Sequence, residues 1–166
     1  EIALNSGTYD EWTWRGDADI AWSSNSTLDF GGVFRRMRQE GLANQFVYTP
    51  VQVPSRDVFR GTGQRAGGYV QQTFALAKNK IRLTAGVRED AHSESPVKVA
   101  SPYASASFAP LPKMLLQLAW GQYAQYPELN QFFSIFARGY VLPERATHYE
   151  VSLEQQLDQR TRLRVE

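Results

Sequence analysis

The sequence predicts an all-β fold: an antiparallel up-and-down meander of about eight strands, forming a partial transmembrane β-barrel. Three observations predict it. Apolar and polar residues alternate one by one through segments of roughly ten or more residues, long enough to cross a bilayer with one face to lipid and one to a wet lumen. Short polar turns alternate with much longer loops, which places every long connection at the same end. Aromatic residues make up 13% of the chain, with four Trp and eight Tyr, as suits a barrel ringed by interfacial aromatics.

Residues 9–22 read as the first full strand. Trp12, Trp14, Ala18, Ile20 and Trp22 share one face, and Glu11, Thr13, Arg15, Asp17 and Asp19 the other. Ser23-Ser24-Asn25-Ser26 is a tight turn of good turn formers. The chain returns over about residues 27–42, with Leu28, Phe30, Gly32 and Phe34 on its more apolar face. Residues 43–65 read as a long loop holding Pro50, Pro54 and a flexible Gly61-Thr62-Gly63. Residues 67–77 descend, with Val70, Phe74 and Leu76 outward and Gln71 and Thr73 inward, and Lys78-Asn79 turns the chain back.

The clearest strand follows, Ile81-Arg82-Leu83-Thr84-Ala85-Gly86-Val87-Arg88. Ile81, Leu83, Ala85 and Val87 share one face and Arg82, Thr84, Gly86 and Arg88 the other, two sets that a period of two cannot mix without a bulge. Residues 90–97 read as polar loop and 100–108 as a strand of small residues. The turn Ala109-Pro110-Leu111-Pro112-Lys113 ends that ladder, since neither proline donates a backbone hydrogen bond. Residues 114–123 rise, with Leu116, Leu118 and Trp120 on the apolar face. Residues 126–143 are the last long loop, in which Phe132-Phe133-Ser134-Ile135-Phe136 reads as a short helix or strand. Residues 145–157 descend, with Tyr149, Val151 and Leu153 opposite His148, Glu150, Ser152 and Glu154, and Asp158-Gln159-Arg160 turns into a final partial strand.

Lipid is therefore expected against Trp14, Ile20, Phe30, Phe74, Leu83, Val87, Leu118, Val151 and Leu153. The lumen is expected against Arg82, Thr84, Gln117, Glu150 and Ser152. A soluble β-sandwich or propeller alternates too. Against that reading, strands of a dozen residues exceed the usual five or six, and the long loops of this chain fall consistently on one side.

Composition narrows the function classes. Mean hydropathy is −0.44 and no apolar run reaches the length of a spanning helix. A net charge of +1 leaves no nucleic-acid footprint. The chain has no cysteine, which excludes thiol chemistry, disulfides and Cys-ligated zinc and fits passage through an oxidising periplasm. It begins without Met or an export signal, and Thr161-Arg162-Leu163-Arg164-Val165-Glu166 stops inside an apparent strand. The expectation is a piece of a longer chain, with residues 1–166 a partial barrel domain.

Several runs resemble the barrel of TonB-dependent outer-membrane receptors. Gly68-Tyr69-Val70-Gln71-Gln72 is followed by Leu83-Thr84-Ala85-Gly86-Val87-Arg88-Glu89-Asp90 and then Ser101-Pro102. Trp120-Gly121-Gln122-Tyr123 leads to Tyr126-Pro127-Glu128-Leu129-Asn130, similar to the family's strand exit into a Pro-containing outer loop. Leu142-Pro143-Glu144 leads into Tyr149-Glu150-Val151-Ser152-Leu153-Glu154, similar to its next descending strand. The resemblance covers about residues 64–166; residues 1–63 fit by pattern alone. It implies a barrel of about twenty-two strands, of which this chain would be roughly a third. The family's plug domain and energy-coupling box are not in the sequence.

Other chemistry finds little support. His92 and His148 are the only histidines, with Ser93 and Ser95 beside the first, but a Ser–His–acid constellation needs hydrogen-bond distances and no nucleophile-elbow motif is present. Loop polarity accounts for His92 and lumen lining for His148. Asp17-Ala18-Asp19 and Asp90 have no calcium-loop context. Gly61-Thr62-Gly63-Gln64-Arg65-Ala66-Gly67 lacks the spacing and Lys-Ser/Thr pair of a phosphate loop. Asn25-Ser26-Thr27 matches a glycosylation sequon only as a three-residue pattern in a turn. Arg35-Arg36-Met37-Arg38 reads either as attraction for anionic lipopolysaccharide or an anionic ligand, or as a solvated strand end above the membrane.

The expected function is the wall and part of the extracellular ligand vestibule of a TonB-dependent active transporter in the outer membrane of a Gram-negative bacterium. The resemblance implies uptake of a scarce nutrient of the siderophore, cobalamin or carbohydrate class. Expected partners are outer-membrane lipid and lipopolysaccharide, the TonB complex through the missing plug region, and an extracellular small-molecule ligand. No enzymatic activity, cofactor, metal site or nucleic-acid partner is expected. Ligand contacts are expected from the aromatics of the last loop, Tyr126, Phe132, Phe133, Phe136 and Tyr140, because long loops are commonly functional and disordered tethers are poor in aromatics. Two alternatives are a small closed outer-membrane barrel with a structural or adhesion role and a soluble carbohydrate-binding β-domain.

Overall fold

Alternation that persists for twenty residues demands a sheet whose two faces see different media, and one such sheet accounts for nearly all the chain. In the computed structural model, backbone is described for residues 2–46, 55–133 and 141–166, and side chains for 6–42, 57–133 and 141–166. The strands are β1 (Ile2–Ser23), β2 (Ser26–Phe46), β3 (Ser55–Leu76), β4 (Ile81–His92), β5 (Val99–Phe108), β6 (Met114–Gln125), β7 (Glu144–Gln156) and β8 (Arg162–Val165). A short helix, α1 (Leu129–Phe133), lies between β6 and β7. The sheet order is β1 to β8 in sequence, and every neighbouring pair is antiparallel.

Register fixes the faces. Gln71 pairs with Gly86, Gly86 with Tyr103 and Tyr103 with Gly121, so these residues point inward together. Phe74, Leu83, Ala106, Leu118 and Val151 form one continuous outward row. The outward and inward sets read from the sequence follow these two parities.

The inward face is stitched by polar side chains. Tyr103 donates to Gln71 Oε1 at 2.8 Å, and Gln71 Nε2 donates to Asp29 Oδ2 at 3.0 Å. Tyr69 donates to Asp17 Oδ1 at 2.9 Å, and Thr73 and Thr84 share a hydrogen bond of 3.1 Å.

The outward face is apolar and bare except at the end of β2 and β3 that carries Arg36, Arg38, Glu40 and Arg60. Trp12 and Trp14 are 83% and 70% exposed, while among the described residues only Val99, Tyr126 and Leu129 are buried hydrophobics. The accessible surface is 12287 Å² for 18.8 kDa. A compact water-soluble chain of that mass exposes about 8,300 Å². The excess is what an apolar medium would cover, and among the described residues no second sheet packs on this face, so the soluble β-domain alternative loses its core. Among the described residues β1 pairs only with β2 and β8 only with β7, so the sheet is an open arc rather than a closed eight-stranded barrel.

Connections sort by length as expected. The bends at Ser24-Asn25, Ala77–Lys80, 109–113 and 157–161 lie at one end. The connections between β2 and β3, β4 and β5, and β6 and β7 lie at the other. Ala77, Lys78 and Asn79 take φ of 51°, 58° and 67°, left-handed values that only Asn tolerates readily, so a tight reversal is bought with local strain. Lys78 and Asn130 are at opposite ends, since α1 rests on the far half of β3.

One boundary differs from the sequence reading. Residues 43–46 and 55–65 are strand and not loop: β2 continues to Phe46 and β3 begins at Ser55. Pro50 and Pro54 fall in 47–54, outside the described residues. Gly61, Thr62 and Gly63 pair with Gln39, Arg38 and Met37 in a continuous ladder. The ladder persists where neither face is apolar, so alternation of hydrophobicity vanishes although alternation of direction does not. The polar loop read from residue 90 likewise begins later, because β4 extends through His92.

Candidate functional site

At the end bearing the long connections, the segment after β6 folds back onto the inward face of β3 and β4. Its first anchor is Tyr126, 3% exposed, whose hydroxyl lies 2.8 Å from the Asp90 carbonyl oxygen and 2.7 Å from that of Val97. One proton serves both acceptors, tying β6 to β4 and to the 93–98 connection. Arg65 on β3 sits over the Tyr126 ring, 5.5 Å from its centroid.

His92 is the second anchor. At 5% exposure its imidazole stacks on Tyr126 (5.6 Å, 29°) and on Phe132 (5.0 Å, 20°). Nδ1 accepts the Glu94 backbone N–H at 3.1 Å, and Nε2 is buried without a partner. This is a strand-end residue in an aromatic stack, so loop polarity does not explain it.

Asp90, also buried, is held by Arg88 through Nε at 2.5 Å and Nη2 at 2.8 Å, with Arg65 Nε 4.0 Å away. The bidentate fork fixes the carboxylate among hydrogen bonds. Gly61 and Gly63 complete the seat. A Cβ on Gly63 would lie 2.6 Å from Leu129 Cδ2 and 3.2 Å from His92 Cε1, and one on Gly61 would collide with the Phe133 ring. Two residues without side chains, facing inward two apart, make the recess that α1 fills.

Beside this seat a cleft of about 340 Å³ opens on the inward face, lined by Tyr9, Gln39, Phe59 and Asn130 among others. Asn130 Oδ1 is buried with no partner. The cleft joins the wall to the last long loop.

Of the aromatics singled out in the sequence, Tyr126, Phe132 and Phe133 come together here, on β3 and β4. Phe136 and Tyr140 lie outside the described residues. The sequence reading missed Arg65, Asp90, His92 and the two glycines as one assembly. Inward-facing Gly61-x-Gly63 was the available signal, since paired small residues on one face mark a close approach.

Among the described residues no nucleophile is poised. Ser93 Oγ donates to Glu94 and accepts from Gln64 N, and His92 directs Nδ1 at a backbone amide. Among the described residues no group of three His, Asp or Glu could hold a metal ion. Asp17 is engaged by Arg15 at 2.7 Å as well as by Tyr69.

Burial holds the His92 pKa below its ordinary value, outweighing Glu94, which favours the imidazolium; Arg65 adds to the depression. Asp90, with Arg88 on it, and Arg65, Arg145 and Glu89 are further charged groups around Tyr126 in the seat. A base whose pKa is depressed in the packed state stabilises that state while it is neutral. The contribution is full above the unperturbed value of about 6.5 and is lost as pH falls through the depressed one. Protection factors at residues 126–133, referred to the intrinsic exchange rate at each pH, are therefore expected to fall below about pH 6.5, and His92→Phe should flatten the profile. An unchanged slope in that variant would exclude His92 as the titrating group.

A family model described as "TonB dependent receptor-like, beta-barrel" matches residues 3–166. No curated protein matches at a significant level. Among solved structures the chain is similar to the copper transporter OprC, with a TM-score of 0.69 and 14% identity over 94% of this chain and 28% of that one. It is similar to the FrpB iron transporter from Neisseria meningitidis, with a TM-score of 0.67 and 15% identity over 92% and 27%. It is also similar to BauA, the ferric preacinetobactin receptor from Acinetobacter baumannii, with a TM-score of 0.60 and 14% identity over 93% and 28%. At such identities the likeness is one of fold. The chain spans about a quarter of the length of these structures.

Proposed function

The chain belongs to the TonB-dependent receptor-like β-barrel family, and we propose that it forms part of the barrel wall and extracellular vestibule of an active transporter in a Gram-negative outer membrane. The single observation that carries this reading is the two-faced sheet, polar and hydrogen-bonded inward, bare and apolar outward. Lipid is the medium that makes the outward face favourable. The short turns then face the periplasm and the long connections the exterior.

The proposed cargo is a scarce nutrient of the siderophore, cobalamin or carbohydrate class. The named neighbours are a copper transporter, an iron transporter and a ferric preacinetobactin receptor, which supports a metal-containing cargo. Energy would come from the TonB complex through a plug domain, and the outward face would contact outer-membrane lipid and lipopolysaccharide. In this proposal the 126–143 loop contributes to ligand binding. Tyr126, Phe132 and Phe133 hold its base against the wall, the cleft beside Asn130 supplies a polar contact, and Phe136 and Tyr140 add aromatic surface.

Two measurements on the full-length receptor test this. It should fractionate with outer membranes and migrate as a heat-modifiable band, and recovery in the soluble fraction would refute the membrane reading. Replacing residues 131–139 by a Gly/Ser linker should weaken ligand binding to whole cells by about ten-fold or more, the equivalent of losing one or two good contacts. Unchanged affinity at normal surface expression would remove the loop from the site.

A further inference from the structure

The outward face carries one group of charges that neither the wall nor the vestibule uses. On β2 the outward positions run Leu28, Phe30, Gly32, Phe34 and then change abruptly to Arg36, Arg38 and Glu40. Arg36 is the register partner of Trp12, and Arg38 that of Asp10. On β3, Gln64, Thr62 and Arg60 stand opposite Arg36, Arg38 and Glu40.

Depth along the strand can be counted. Trp12 and Trp22 are ten positions apart on β1, with Trp14, Gly16, Ala18 and Ile20 outward between them. A strand tilted by about 40° climbs roughly 2.5 Å per residue, so the two indoles stand about 25 Å apart, the height of the apolar band of an outer-membrane barrel. With Trp22 at one interface, Trp12 marks the other and Arg36 lies at headgroup level.

The charges there are unevenly committed. Glu40 lies 3.3 Å from Arg60 and 3.8 Å from Arg38, an exposed arrangement that is weak and readily exchanged. Arg36 has no hydrogen bond or ion pair among the described residues. It borders a groove of about 710 Å³ lined by Trp12, Trp14, Phe34 and Arg38, with Asp10 opposite Arg38 as the one carboxylate of the lining.

We propose that this groove is a binding site for a phosphate-bearing headgroup of an outer-leaflet lipid. Arg36 takes the phosphate through its planar fork, Arg38 supplies a second guanidinium, and Trp12 and Trp14 pack against the lipid below. Charge complementarity names the occupant, and the apolar floor separates a lipid from a free anion. The proposal rests on the membrane reading above.

The test uses the full-length receptor in nonionic detergent and lipopolysaccharide with its phosphates intact or enzymatically removed. Bound copies per barrel are counted by native mass spectrometry, and inorganic phosphate at millimolar concentration serves as competitor. The phosphorylated lipid should be retained on the wild type and bind about ten-fold or more weakly to the Arg36→Ala/Arg38→Ala variant, as expected for the loss of charge-assisted hydrogen bonds. Arg36→Lys should keep part of the affinity, and inorganic phosphate should not compete. Equal retention of the dephosphorylated lipid, unchanged retention by the double variant, or displacement by inorganic phosphate would overturn the proposal. Heat-modifiable migration of each variant checks folding, and Arg36→Gln alone substitutes if the double variant fails that check. A receptor that needs no detergent would instead refute the membrane reading itself.

Discussion

Leu83→Arg in the full-length receptor is expected to destabilise folding into a bilayer by about 2–4 kcal/mol, the cost of a cation facing lipid near the midplane. Outward apolar positions on β4 run from Ile81 to Val87, and Leu83 lies one residue from the middle of that run. Its neighbours in the outward row are Phe74 and Ala106 in direct register, with Leu118 and Val151 beyond. None offers the guanidinium a partner. Arg82 is adjacent in sequence but points the other way, opposite Ala75 and Ser107 on the inward face. Arg82→Leu should therefore change folding by well under 1 kcal/mol, as substitutions at exposed sites usually do. Urea titration in bilayers followed by Trp fluorescence measures both. Equal effects would mean that the two faces are not lipid and lumen.

The pair Arg82 and Leu83 also shows how much was legible beforehand. Direction alternates strictly along a strand, so hydrophobicity alternates wherever the two faces see different media. Across the band, from Trp14 to Trp22 or Ile81 to Val87, a single strand reveals both faces. Above the band both faces are wet, and Gly61, Thr62 and Gly63 carry no contrast although the ladder runs through them. This is why β3 looked like a loop until Gly67. The aromatics after β6 were conspicuous by composition, but their destination was not. Tyr126 reaches back 36 residues to the Asp90 carbonyl, and such a contact depends on the register of two intervening strands, β5 and β6. His92 shares that fate, since its burial comes from Phe132, forty residues on. Arg36 was visible as part of a basic run, yet only register separates it from Arg35, which faces inward toward Glu11 at 3.9 Å.

Gly63→Val is expected to unseat α1 while leaving the β-sheet intact, and Gly61→Val should do the same. Valine suits a strand, so the backbone has no reason to resist either change. The obstruction is in the recess. A branched side chain at 63 would enter the space of Leu129 Cδ2 and His92 Cε1, and one at 61 would enter the Phe133 ring. Overpacking of this kind costs about 1–3 kcal/mol. The helix is only five residues long and held mainly through Leu129, Phe132 and Phe133, so the seat gives way before the sheet does. Gly68→Val is the matched control, because that position faces outward and its Cβ would meet nothing closer than the Gly31 carbonyl oxygen at 3.6 Å. Hydrogen exchange and limited proteolysis should show residues 126–133 exposed in the first two variants and protected in the third. Heat-modifiable migration should be unchanged in all three. Ligand binding should fall with the loss of protection if the loop serves the vestibule. Equal protection in Gly63→Val and Gly68→Val would show that the helix does not rest in the glycine recess, and the assembly built on Tyr126, His92 and Phe132 would have to be abandoned.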